Sequence, residues 1–122
     1  MARIRTVKPA LFTSARVSRY PDAVFRTFVG LFCYADDKGR GEDDTLLIKA
    51  EVWPRVRRVS AATIEKHLDI IAAPTDGPLC RYEVDGVKLL HFINWREHQR
   101  VNRPTPSRFP PCPTHGDSGS DH

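Results

Sequence analysis

Apolar positions in this chain recur first at helical spacing and later at strand spacing. Val24, Phe25, Phe28, Val29, Leu31, Phe32 and Ala35 return at three- and four-residue steps, which predicts a helix with a wide apolar face. Pro21 suits its opening turn and Asp22 its positive end, and it stops in Asp36-Asp37-Lys38-Gly39-Arg40-Gly41, whose glycines admit positive φ. A shorter second helix starts from Asp43 or Asp44 as cap, carries Leu46, Leu47, Ile48 and Ala50, and ends before Pro54. Ser60 caps a third, through Ala73. At 100° per residue, Ala61, Ile64, Leu68, Ile71 and Ala72 form its buried stripe, and Ala62, Thr63, Lys66, Asp69 and Ile70 face outward.

Beyond Pro74 and the Thr75-Asp76-Gly77-Pro78 turn the period falls to two. Asp85-Gly86 between alternating residues signals a two-residue hairpin. Its register pairs Val84 with Val87, Tyr82 with Leu89 and Cys80 with His91 on an apolar face, while Glu83 meets Lys88 on the other. Three helices closed by a hairpin describe an α+β winged helix-turn-helix, a three-helix core plus β-hairpin wing. Its third helix would enter a major groove, although such domains also serve as protein-protein modules. The expected organisation is a winged-helix domain with a basic N-terminal arm over residues 1–95, a basic Pro-rich strap over 96–111, and a disordered tail over 112–122.

The length of 122 residues suits one small domain and leaves no room for a large multi-substrate enzyme. No run approaches the roughly 18 apolar residues of a membrane span, and the start has neither apolar core nor cleavage site, so a cytoplasmic protein without membrane partners is expected. The odd count of three cysteines fits reduced thiols, with Cys33 and Cys80 as small core hydrophobes. Charge is +4 and unevenly spread: residues 1–20 carry five basic side chains and no acid, whereas 36–51 are mostly acidic and should face away from any polyanion.

Arg55, Arg57 and Arg58 precede the third helix, where guanidinium groups can hold phosphates on either side of a groove. On the helix, Thr63 and Lys66 can contact DNA, while Glu65 and Asp69 repel phosphate. Arg3 and Arg5 form either an arm that reaches a minor groove or an edge strand, since they alternate with Ile4 and Thr6. Arg96, Arg100, Arg103 and Arg108, interleaved with Trp95, His98 and Gln99, give a second basic surface, with Trp95 and Trp53 read as packing residues. No paired carboxylates, nucleophile motif, phosphate loop or metal box stands at a recognisable spacing, so neither catalytic residues nor a cofactor is expected. Cys112 and His115 stand at CxxH spacing, but a second pair of close ligands is missing, and no metal is expected either. His91 reads as a core or strap histidine.

Several stretches together carry a resemblance: the basic start with Lys8-Pro9, the helix exit Ala35-Asp36-Asp37 to Gly39-Arg40, the wing Tyr82-Glu83-Val84-Asp85-Gly86, and the strap from His98-Gln99 to Pro104. Over residues 1–111 the chain resembles phage-encoded winged-helix replication proteins, the replication initiators or replisome organisers similar to the N-terminal domain of DnaD-like primosome components. The resemblance implies a non-enzymatic domain that binds DNA or partner replication proteins, in the cytoplasm of a bacterial host.

The leading expectation is therefore a double-stranded DNA-binding protein of phage replication, with control of phage transcription as a variant. Arg55, Arg57, Arg58 and Lys66 would hold phosphates with Thr63 near bases, Lys88 would supply the wing contact, and Arg3 and Arg5 the arm. The competing expectation is a docking module for a helicase, helicase loader or primase, or a homodimer, through the acidic 36–51 stretch and an exposed Ile70.

Overall fold

A computed structural model describes residues 3–73 and 77–116. Among these, six helices and a three-stranded antiparallel sheet form a small α+β domain in the order α1 (Ala10–Thr13), α2 (Ala15–Ser18), α3 (Asp22–Tyr34), β1 (Arg40–Glu42), α4 (Thr45–Val52), α5 (Ala61–Ile71), β2 (Leu79–Val84), β3 (Val87–Phe92) and α6 (Trp95–His98). No helix among them is long and apolar enough to cross a membrane.

The three longer helices form where periodicity and caps predict. Asp44 accepts from the Leu46 and Leu47 amides at the start of α4, and Ser60 accepts from Thr63 at the start of α5, each meeting amides with no intrahelical partner. The buried stripe of α5 is Ile64, His67, Leu68 and Ile71, so a histidine joins the expected apolar set. On α4 the core receives Ile48 and Val52, while Leu46 and Leu47 face solvent.

The hairpin has the predicted register throughout, from Val84 opposite Val87 to Leu79 opposite Phe92. Asp85 and Gly86 both take positive φ, 52° and 81°, as a tight turn between right-twisted strands requires. The third strand was not anticipated: β1 lies on the far edge of β3, giving the order β1-β3-β2, with Arg40 opposite His91. Gly39, in the turn before it, is required twice over. Its φ is +79°, and an added Cβ would stand 2.7 Å from ring atoms of Trp95.

Both faces of the sheet are covered, which corrects the expectation of one apolar face opposite an ion pair. Leu79, Leu90 and Phe92 join the helical core, where Phe28, Phe32, Phe92 and Trp95 meet as tilted or edge-on rings 5.1–6.4 Å apart. Leu89 and His91 are also buried, on the face that the strap covers. The Tyr82 hydroxyl donates to the Pro110 carbonyl and an Arg40 guanidinium nitrogen to that of Phe109, so the strap is hydrogen-bonded across this face.

The segment before α1 is neither a free arm nor an edge strand. The Arg3 amide donates to the Cys33 carbonyl, and both the amide and the carbonyl of Thr6 bond to the side chain of buried Gln99. Residues 112–116, expected within a disordered tail, close a turn through a bridge between Cys112 and Gly116, and Cys112 is buried. The expected Thr75–Pro78 turn in part, and residues 117–122 of the tail, lie outside the described residues.

Candidate functional site

The α4–α5 turn, residues 53–60, is built around Trp53. The Trp53 indole N–H donates to the Thr27 hydroxyl at 2.8 Å, and that hydroxyl meets His67 Nδ1 at 2.8 Å, joining α3, the turn and α5 through three buried side chains. The hydroxyl accepts from Trp53 and is free to donate to Nδ1, an arrangement that a neutral His67 with its proton on Nε2 completes. Burial lowers its pKa in agreement with this. Arg26 lies 4.0 Å over the Trp53 ring and donates to the Val52 carbonyl, and the Lys49 ammonium donates to the carbonyls of Trp53 and Val56. The turn is thus anchored from below.

Its upper side carries Arg55, Arg57 and Arg58, all exposed, with no ion-pair or hydrogen-bond partner among the described residues. They immediately precede Ser60 and the N-terminus of α5, where exposed Ala62 and Lys66 continue the same open surface. Thr63 is half-buried, its hydroxyl 3.2 Å from that of Ser60.

Towards the β2–β3 hairpin the character reverses. Arg81 on β2 reaches Asp43 at 2.6 Å, Glu65 at 2.7 Å and Asp69 at 2.9 Å, so the two acids of α5 are drawn into one ion cluster with the loop before α4. The Arg81 bond is the main cause of the lowered pKa of Glu65. Lys88 is exposed, yet it borders a surface lined by Glu42, Asp43, Asp44 and Glu65 and pairs across the hairpin with Glu83. The β2–β3 hairpin is therefore no cationic extension of the arginine turn.

The remaining expected contacts stand elsewhere. Arg5 is internal, its side chain 6% exposed: its guanidinium bonds to Asp37 at 3.1 Å and to the Phe32 and Ala35 carbonyls, and lies 5.2 Å from the Trp95 ring centroid. The carbonyls at the end of α3 attract this cation. It is therefore withdrawn from any phosphate. Arg3 adds a longer contact to Asp37 at 3.4 Å. Burial alone would raise the pKa of Asp37, but the Thr105 amide, Arg5 and Arg3 outweigh it and hold the carboxyl below its usual range. Arg96 on α6 and Arg100 and Arg103 on the strap are exposed, on a segment separate from the arginine turn.

A second constellation lies on the strap-covered face of the sheet. The register sets Cys80 directly opposite His91, and the turn at residues 112–116 brings Cys112 and His115 against them. Cys80 Sγ is 3.8 Å from Cys112 Sγ, Cys112 Sγ 3.5 Å from His115 Nδ1, and His91 Nε2 3.3 Å from His115 Nδ1. All four atoms fall within 4.8 Å of one another. Burial first, and then Cys112, pushes the Cys80 thiol up to about 11, and burial first, with His115, pushes His91 down to about 4. The expectation that a second pair of close ligands is missing is corrected by this cross-strand pair. Its signal was present in the hairpin register, but it joins Cys112 and His115 only once the strap is known to return over that face.

Compared with models of known protein families, with curated proteins and with solved structures, the chain has no match.

Proposed function

We propose that this chain is a non-enzymatic, double-stranded DNA-binding protein of the winged-helix type. The observation that carries the reading is the α4–α5 turn, where three exposed arginines have no intramolecular partner beside the open N-terminal half of a helix. Arg81 holds Asp43, Glu65 and Asp69, so the acids of the α5 surface are already engaged within the fold. The order α3-β1-α4-α5-β2-β3 with sheet order β1-β3-β2 supports a winged-helix assignment, with α5 as the groove-facing helix and the β2–β3 hairpin as wing. Guanidinium groups at that turn suit phosphates flanking a major groove, and Lys66 extends the contact along α5. The acidic wing side directs the duplex to the N-terminal half of α5. The sequence resemblance supports action in phage replication.

The test is fluorescence anisotropy with labelled duplex and single-stranded DNA across a salt series, for the natural chain and for the Arg55, Arg57 and Arg58 to Ala triple substitution. Each phosphate contact contributes about 0.9 to the slope of log affinity against log salt, so the triple variant should bind more weakly and lose about 2.7 from that slope. The three side chains are exposed and have no hydrogen-bond or ion-pair partner among the described residues, so the fold should be unchanged. Absence of duplex binding at low salt, or a slope the substitutions leave intact, would overturn the reading.

A further inference from the structure

We propose that Cys80, His91, Cys112 and His115 form a closed, tetrahedral Zn²⁺ site that fastens the end of the strap to the sheet. For zinc bonds of about 2.3 Å to sulfur and about 2.0–2.1 Å to nitrogen, tetrahedral geometry puts two sulfurs about 3.8 Å apart, sulfur and nitrogen about 3.5 Å, and two nitrogens about 3.3 Å. Three of the six separations between the ligand atoms here are 3.8, 3.5 and 3.3 Å, and all six lie within 4.8 Å. A disulfide would need the two sulfurs at about 2.0 Å and would give the histidines no reason to converge.

The donor set fits the ion in charge as well as in shape. Two thiolates and two neutral imidazoles around Zn²⁺ sum to zero, which suits a site where His91 and Cys112 are buried. On binding, each thiol releases its proton to solvent and forms one Zn–S bond, and no redox change is involved. The second shell is present for one imidazole: with Nε2 of His91 given to the ion, its Nδ1–H lies 3.2 Å from the Phe92 carbonyl, which orients the ring. Mixed thiolate and imidazole ligands with no free coordination position describe a structural zinc site and disfavour calcium or magnesium.

Neither pair would suffice alone. Cys80 and His91 belong to rigid neighbouring strands, whereas Cys112 and His115 sit on a short turn held by the bond from the Gly116 amide to the Cys112 carbonyl. One ion would join the two and hold residues 99–111 across the sheet between α6 and the site. The proposal is independent of DNA binding, and either can fail without the other.

The experiment uses the full chain purified under reducing conditions. Bound metal is counted by mass spectrometry of the elements, the metal-free protein is titrated with Zn²⁺ and with Co²⁺, and thermal unfolding is followed with and without chelator. One zinc per chain is expected, together with thiolate-to-cobalt charge transfer, the visible bands of tetrahedral Co²⁺, and a Tm that falls on chelation. Because His115 is exposed, His115→Ala should fold, weaken zinc binding by at least tenfold, and have a Tm that no longer responds to chelator. Cys112→Ser should abolish the charge-transfer intensity from that sulfur. Zinc well below one per chain after titration, an octahedral cobalt spectrum, unaltered affinity in His115→Ala, or a Cys80–Cys112 disulfide in the reduced protein would each overturn the proposal.

Discussion

Replacing Thr27 by valine exchanges a hydroxyl for a methyl at nearly constant volume, inside a contact between three elements. Thr27 is fully buried, and its oxygen is the partner of both the Trp53 indole N–H and His67 Nδ1. The methyl that takes the oxygen's place is apolar, so both groups keep their burial and lose their bond. Each stranded buried group costs about 1–3 kcal/mol, which puts the loss at about 2–6 kcal/mol. Thr27→Ser retains the hydroxyl and removes only a methyl, at about 1 kcal/mol. The assay is equilibrium urea unfolding; with an m-value near 2 kcal/mol/M, a loss of about 3 kcal/mol moves the midpoint by about 1.5 M. Should valine prove no more damaging than serine, the hydroxyl would not be holding α3, the turn and α5 together. The same substitution should also weaken DNA binding, because Trp53 opens the turn that carries the arginines.

Two further outcomes follow from particular contacts. Gly39→Ala should destabilise by about 3 kcal/mol or more, because it combines positive φ with a clash against Trp95, whereas Gly86→Ala has positive φ and open space and should cost about 1 kcal/mol. Equal effects in chemical denaturation would refute that contrast. Burial lowers the pKa of His67 and His98 in the folded chain, so below about pH 6.5 the unfolded chain binds more protons and stability falls as pH falls, by at most about 1.4 kcal/mol per pH unit for each histidine. Urea midpoints that hold constant or rise from about pH 7 to pH 5 would contradict it.

Much of the framework was legible because local signals and tertiary needs agree. The caps Asp44 and Ser60, the stripe of α5 and the Asp85-Gly86 turn each specify their element within a few residues. The four-residue α1, α2 and α6 were not legible, since helices so short cannot pay for nucleation and exist through packing of Leu11, Val17 and Trp95. The three-residue β1 was hidden by Gly41, which reads as a turn until Leu90 is found opposite it. For the candidate surface, the arginine turn could be read from charge and position. The withdrawal of Arg5 could not, because Asp37 and the end of α3 become its partners only through contacts 27–32 residues apart.

The paired bonds between Thr6 and Gln99 span 93 residues, and Asp37 ties Arg3 and Arg5 to Thr105. Closing so long a loop costs conformational entropy that only native packing can repay, and interactions of this kind form late. The helical core and the hairpin are more local and can assemble first, after which residues 3–8 and 99–109 lock onto each other and onto the Asp36–Asp37 turn. Contacts absent from the folding transition state leave the folding rate nearly untouched and act on the rate of unfolding. Substitutions that remove the Thr6–Gln99 bonds are thus expected to speed unfolding more than they slow folding, as a kinetic latch would.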